Sequence, residues 1–268
     1  MKLLTCFQTL PDLEILSESD WASGSISGLP DTSFLPRIIN PCDASALELS
    51  CRFKDKSKCH TSALTIGGRE NDALCRTVQA LDFDLTVRLE LSNNANTAMS
   101  AETCADLIND FISKNGNYDI IATGEMSGDT NQAKVPFLLA EHLHIKCIGK
   151  VIEYTPYDEK RIIVKYICDE DIITAMVRLP CILSVSISSD VCLRIPTLRS
   201  RINAKKRNNF QIETGYAFPS HPVRFLEAES LSQSRDPVFI DGSDPEHAAR
   251  EMYRYYYEWY KNELYDNN

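Results

Sequence analysis

The stretch GEMSGDTNQAKVP, residues 124–136, is the part of the chain best suited to hold an anion. It is polar, carries Gly124 and Gly128, and leads from an apolar run into a helical pattern opening at Pro136. A helix N-terminus presents unpaired N–H groups and the positive end of the helix dipole, which is what a phosphate needs. The standard nucleotide motifs fail here. A P-loop requires Gly, four residues, then Gly-Lys-Ser/Thr, whereas Gly128 is followed by Asp129 and Thr130. No Gly-x-Gly-x-x-Gly occurs, and IGGRENDA lacks the Ser-Gly-Gly-x-Asp-Ser loop of ATP pyrophosphatases.

Bond-breaking chemistry finds even less support. The histidines (His60, His142, His144, His221 and His247) are scattered. His142 and His144 lie two apart on a helical pattern and so do not share a face. There is no Gly-x-Ser-x-Gly elbow and no Cys-x-x-Cys pair. Cys51 and Cys59 lack zinc spacing, and Cys6, Cys147, Cys181 and Cys192 lie in apolar or strand-like runs as small hydrophobes. A nucleotide site without catalytic groups suits a carrier or regulatory subunit.

A second stretch, RIPTLRSRINAKKR (residues 194–207), carries six basic residues and no acidic one, in a chain of net charge -10. With 38 acidic against 28 basic side chains, broad electrostatic binding to nucleic acid is excluded, and no aromatic platform is interleaved with the charges. An anionic cofactor and an acidic protein partner remain. No apolar run approaches the ~20 residues of a membrane helix. Only five residues precede Cys6 in MKLLTC, too few for a signal peptide, so the chain reads as an untargeted cytoplasmic protein.

These segments need a scaffold, and the periodicities predict one. KLLTCF, SALTIG, FDLTVRLE and YDIIATG read as buried strands. Helical patterns alternate with them, from Asp43, from Glu70 (Leu74, Val78 and Leu81 on one face), from Ser100 to Gly116, and from Pro136. Such alternation predicts an α/β fold, a mostly parallel sheet with helices on both faces. Beyond residue 146, KCIGKVIEY, RIIVKYI, ITAMVRL and CILSVSI follow as short strands, with a polar turn at 158–161, and predict added antiparallel hairpins. Periodicity fades from Asn208 to Asp236, which reads as an extended arm. The chain ends in a helix capped by Asp244 and Pro245 and crowded with Tyr253, Tyr255, Tyr256, Tyr257, Trp259 and Tyr260, to pack on its own sheet or on another subunit. The predicted division is 1–207, a nucleotide-binding domain, and 208–268, a C-terminal arm with its helix.

Four segments together resemble the beta subunit of electron-transfer flavoproteins, with the divergent bacterial branch closest. NPCDASALE is similar to that family's Asn-Pro-x-Asp/Glu-x-x-Ala-x-Glu turn, with Asn40, Pro41, Asp43, Ala46 and Glu48 matching. YDIIATGEMSGDTNQAKVPFLLAEHL is similar to its strand, acidic loop and Leu-Ala helix, and VRLPCILSV to its Leu-Pro strand. Arg194, Thr197, Leu198, Ala204, Lys205 and Lys206 fall on its Arg-x-x-Thr-Leu and Ala-Lys-Lys positions. The resemblance runs from residue 2 to about 212.

It implies an adenine nucleotide alpha-hydrolase-like fold that binds AMP, or FAD, and pairs as a heterodimer with an alpha subunit holding the redox-active FAD. The nucleotide contacts carry over to Cys6, Asn40, Ile66 and the loop residues Gly124, Ser127, Gly128, Asp129, Thr130, Asn131, Gln132, Ala133, Lys134 and Val135. The basic stretch corresponds to the loop that docks a flavin dehydrogenase such as an acyl-CoA dehydrogenase, through Arg194, Thr197, Leu198, Lys205 and Lys206. On this reading the chain is an electron carrier subunit, not itself an enzyme. An electron-bifurcating complex with FAD in this chain, and a stand-alone adenine-nucleotide sensor, are the alternatives. Several positions depart from the family pattern: Lys134 stands where it has Gln, Asp82 where it has Gly, Gln8 where it has Lys, and Val191-Cys192-Leu193 where it has Asn-Glu-Pro.

Overall fold

Neighbouring residues of a strand point to opposite faces, so doubled apolar pairs such as Leu3-Leu4 and Ile120-Ile121 call for cover on both sides of a sheet. The computed structural model, which describes residues 1–17, 19–21, 30–91, 99–207, 209–216 and 238–265, has that cover. The described strands are β1 (Lys2–Cys6), β2 (Thr9–Pro11), β3 (Arg37–Ile39), β4 (His60–Ile66), β5 (Leu85–Leu91), β6 (Ile120–Gly124), β7 (Lys146–Pro156), β8 (Arg161–Cys168), β9 (Asp171–Arg178), β10 (Cys181–Val185) and β11 (Phe210–Tyr216). The helices are α1 (Pro41–Lys56), α2 (Asp72–Gln79), α3 (Ala101–Asn115), α4 (Val135–Leu143), α5 (Leu198–Arg207) and α6 (Pro245–Tyr265).

The main sheet runs β11-β5-β4-β1-β6-β10-β7-β8-β9. It is parallel from β11 to β7 and antiparallel across β7-β8-β9; β2 and β3 form a separate antiparallel ribbon. On one face α1 packs Ala46, Leu49 and Phe53 against Leu3, Ile120 and Leu183, with α2 beside it through Val78 and Cys75. On the other, Leu107, Ile108 and Phe111 of α3 and Leu139 of α4 cover Leu4, Ile121 and Ile182. Each such fully buried leucine or phenylalanine contributes about 2 kcal/mol relative to exposure.

Local chemistry sets the helix ends. Pro41 occupies the first turn of α1, and Lys54 and Lys56 sit in its last, where the dipole favours cations. The Ser100 side chain accepts the Thr103 N–H at the start of α3, and Gly116, at φ 94°, ends that helix with its N–H on the Ile112 carbonyl. The β7–β8 turn is as expected, with the Asp158 carboxylate accepting the Lys160 N–H and pairing with Arg161.

Two strands go where the periodicity did not place them. β10, expected among the hairpins, is inserted in parallel between β6 and β7. All five of its residues are buried, and a short apolar run of this kind fits a central parallel strand covered on both faces. Within the stretch read as an irregular arm, Phe210–Tyr216 forms β11, parallel to β5 at the sheet edge. Its pattern is mostly polar, and what fixes it lies elsewhere in the chain. Asn209 Nδ2 donates to the Phe83 and Asp84 carbonyls, and Gln79 donates to the Asn209 side-chain oxygen. Residues 217–237, the rest of that stretch, lie outside the described residues.

The chain divides into two units, Met1–Glu227 and Ala228–Asn268. In the second, the Asp244 side chain accepts the Glu246 N–H and caps α6. Tyr253, Tyr256, Tyr257 and Trp259 are all exposed on this helix, with Tyr253 stacked on Tyr257 and Tyr256 on Tyr260. No described helix is long and apolar enough to cross a membrane.

Candidate functional site

From β1 the chain moves outward on one side, through α1 to β4 and through α2 to β5. Then α3 carries it back across to β6, on the other side of β1. β1 and β6 therefore flank the point where the strand order reverses, and ligands of open α/β sheets bind in the crevice beyond the carboxyl ends of such strands. A cleft lies there, enclosing about 650 Å³ including its open mouth.

One wall is apolar, built from Cys6, Leu64, Ile66, Met99 and Ile108. The other is polar, formed by Gln8, Asn40, Asp43 and the start of the 124–136 loop. Asp43, in the first turn of α1, ties these parts together. Its Oδ1 accepts the Gly124 N–H at 2.7 Å, and its Oδ2 accepts the Gln8 N–H at 2.8 Å and Asn40 Nδ2 at 3.0 Å. Asn40 Nδ2 also donates to the Met126 carbonyl at 2.9 Å. The contact of α1 with β6 is so close that a side chain at position 124 would meet Asp43 Oδ1 at 2.3 Å, so only glycine fits.

Gln8 reaches across the cleft mouth. Its Oε1 accepts the Ser127 hydroxyl at 2.8 Å, and its Nε2 donates to Asp129 at 3.1 Å; the Ser127 hydroxyl also bonds Asp129. The loop is closed on itself by Asn131 N–H to the Ser127 carbonyl and Ser127 N–H to the Gln132 carbonyl. It leads into α4, whose first turn has no side-chain cap. No lysine or arginine stands among the described lining residues, so a phosphate here would depend on backbone N–H groups.

Burial pushes the Asp43 carboxyl up to about 6, against the pull of its three hydrogen bonds. Burial likewise pushes the Cys104 thiol up to about 12, helped by the nearby Asp129 and Asp43 carboxylates, and raises that of Cys6. Neither thiol is a nucleophile at neutral pH. No cluster of three or more metal-ligating side chains occurs among the described residues. The arrangement can hold a flat apolar group against its wall, with an anion at the loop.

Of the residues expected at the site, Cys6, Asn40, Ile66, Gly124, Ser127, Gln132 and Val135 line the cleft. Gly128, Asp129, Thr130, Asn131, Ala133 and Lys134 are exposed and do not line the cleft, although Asp129 accepts from Gln8 at its mouth and Gly128 lies against Asn40; Lys134 Nζ stands 4.0 Å from Glu102. Sequence reasoning did not assign Asp43, Thr65, Met99 and Cys104 to the site. For Asp43 a signal existed, its place in the Asn-Pro-x-Asp turn; the others are gathered only by folding.

A family model for the electron transfer flavoprotein domain matches residues 33–206, more than half of the chain. The chain belongs to the electron transfer flavoprotein family. It is also similar to an Escherichia coli (strain K12) protein named "Putative electron transfer flavoprotein subunit YgcR", with 28% identity over 259 residues, covering 96% of this chain and 97% of that protein. Electron transfer flavoproteins are electron carriers that work as subunits.

In this family member the basic stretch begins with an anchored residue. Arg194 gives Glu48 a two-pronged pair and its own backbone N–H, and it bonds Asp55 at 3.0 Å. Burial alone would raise the Glu48 carboxyl, yet the hydrogen bonds from Arg194 and Arg52 hold it below its ordinary value. Thr197 caps α5 by accepting the Ser200 N–H. Leu198 is then 75% exposed and Ile195 86%, beside Ile202 one turn on and the exposed Lys205 and Lys206. The far end of α5 is fixed by the Gln79 amide on the Ala204 carbonyl and by Arg207 on Asp82. The result is an apolar knob with a basic surround, held at both ends.

Proposed function

We propose that this chain is the beta-type subunit of an electron-transfer flavoprotein heterodimer. It holds an adenine nucleotide, AMP or FAD, in the cleft at the ends of β1, β4 and β6. It pairs with an alpha subunit carrying the redox-active FAD, and it docks a flavin dehydrogenase through the stretch 194–207. The observation that carries the reading is the cleft itself: an apolar wall facing a glycine-containing loop and a helix N-terminus, at the reversal of strand order.

The residues fit such a ligand. The Leu64, Ile66, Met99 and Ile108 wall suits a base, and the 124–135 loop suits a phosphate. When bound, a flavin supplies the redox step, and the chain's own contribution is to orient it, exclude water and present the docking surface. The exposed Leu198 would act as the apolar anchor in a partner pocket, with the basic surround steering encounter toward an acidic rim. The exposed aromatic face of α6 is suited to a subunit interface, where tyrosine and tryptophan are enriched.

Mass spectrometry of the small molecules released from the purified protein, with any subunit that co-purifies, tests this. AMP with one FAD per heterodimer supports a one-flavin carrier. Two FAD per heterodimer assign the cleft to FAD, as in a bifurcating complex. A folded chain that purifies alone and empty overturns the reading.

A further inference from the structure

The main sheet ends on β9, and among the described residues no strand pairs with its far side. Edge strands are normally blunted by proline, lysine, a bulge or brevity. β9, DIITAMVR, runs eight residues in unbroken register with β8 and carries no proline, lysine or bulge. Its Ile172 is 64% exposed and its Met176 50%. Ile167 and Ile163 stand opposite them on β8, so the four form an apolar strip on the sheet face away from the buried Val177.

The backbone of this edge is set for one pairing phase. The Leu179 N–H donates to the Lys160 carbonyl, the next position of the β8–β9 ladder. By alternation Val177, Ala175 and Ile173 turn their N–H and C=O groups toward β8, while Ile172, Thr174 and Met176 turn theirs outward. The edge also holds an electrostatic mismatch. Arg178 lies directly opposite Arg161; Arg161 is paired with Asp158, whereas Arg178 has no ion pair among the described residues.

We propose that β9 is a homotypic interface, pairing antiparallel with β9 of a second copy of this chain about a two-fold axis at Thr174. The strand is complementary to itself in that register. Thr174 meets its own counterpart, Ile172 lies opposite Met176, and Glu170 of the preceding turn lies opposite Arg178. Such an axis stands normal to the sheet, so both apolar strips fall on one face and join. The outward groups of residues 172, 174 and 176 then bond one another. Moving the centre to Ile173 or Ala175 sets Arg178 against Cys168 or Ile172 and loses the charge match. The inference does not rest on the nucleotide or dehydrogenase readings; in a heterodimer it would join two heterodimers.

Sedimentation velocity of the full chain, with any co-purifying subunit, over about 1 to 200 µM spans the affinities of a small interface. Arg178→Glu makes two symmetry-related pairs repulsive and should weaken self-association about 5- to 30-fold. Adding Glu170→Arg restores the pairs and should recover most of that loss. Thr174→Pro removes an outward N–H but no bond to β8, and should abolish association while the fold persists. Melting temperatures report the folding of each variant, and the charge swap decides the matter if the proline variant unfolds.

Association that weakens in Arg178→Glu and returns in the double variant supports the proposal. A wild type that does not self-associate, association indifferent to Arg178→Glu, or a loss that Glu170→Arg does not restore overturns it. A co-purifying subunit shed by Met176→Lys, with no self-association of the wild type, gives the strip to that subunit and overturns it as well. Nucleotide content, measured separately, is unaffected by any of these outcomes.

Discussion

Glu48 and Arg194, 146 residues apart, meet as a two-pronged ion pair, Nε to Oε2 at 3.0 Å and Nη2 to Oε1 at 3.1 Å. The Arg194 backbone N–H adds a third bond to the same carboxylate. Glu48 stands on α1, whose first turn holds the cleft through Asn40 and Asp43. One helix thus positions both the cleft and the root of the exposed basic stretch.

Breaking that pair should loosen the stretch more than the sheet. Glu48→Gln is expected to cost about 1–3 kcal/mol, because a nearly buried acceptor of charge-assisted bonds is lost. Hydrogen exchange should rise across residues 190–207, and urea unfolding gives the stability. The Glu48 carboxyl is held below its ordinary value of 4.5, so its contribution is present above that pH and lost as pH falls through the lower, folded value. Glu48→Gln should therefore lose part of the acid sensitivity of the wild type, and identical pH profiles would refute this.

Asp43 has the opposite sign. Its carboxyl is raised from 3.8 to about 6, so between these values the folded chain binds a proton that the unfolded chain has released. Its contribution to stability grows less favourable as pH rises through that window, and is regained on acidification. Asp43→Asn cannot titrate and should flatten this component of the stability profile between about pH 4 and 6. Melting temperatures measured across that range in both proteins check the slope.

Asp82 adopts φ 75°, the left-handed region, where the resembled family has glycine. It pairs there with Arg207 at 2.6 Å and with Lys54 at 3.6 Å, contacts a glycine could not make. Both pairs are open to solvent on their Asp82 side and contribute modestly. Asp82→Ala keeps the backbone strain and loses the pairs, a loss of about 1 kcal/mol, while Asp82→Gly gains freedom as it loses them and should lie within about 1 kcal/mol of wild type. Urea denaturation of the two variants should rank glycine above alanine.

Leu198→Ala removes an exposed side chain, and stability should change by no more than about 0.5 kcal/mol. Bound nucleotide should be unaffected. If the stretch docks a dehydrogenase, the KM of that enzyme for the carrier should rise several-fold with little change in kcat. Unchanged coupling would remove Leu198 from the docking surface.

Much of this molecule is legible in the chain because its signals are local. A helix cap acts over three residues, so Ser100, Pro136 and Gly116 mark their helix ends from the sequence alone. Strand-helix alternation implies a parallel sheet, the sheet implies a crevice, and the loop 124–136 leads into it. The basic stretch is visible by count, and its exposed Leu198 follows from a mostly polar helix.

What the tertiary structure alone decides is which distant groups meet. β10 reads like its hairpin neighbours, and only burial on both faces places it beside β6. β11 carries little apolar signal, since its register is held by Asn209 bonded to residues near 84. Arg194 appears in the sequence as one cation among six, and folding commits it to Glu48. The Asp43 bonds to Gln8 and Gly124 arise where strand ends and α1 converge. Periodicity encodes which face a side chain takes. It does not encode which partner waits there, because that depends on loop closures spanning tens of residues.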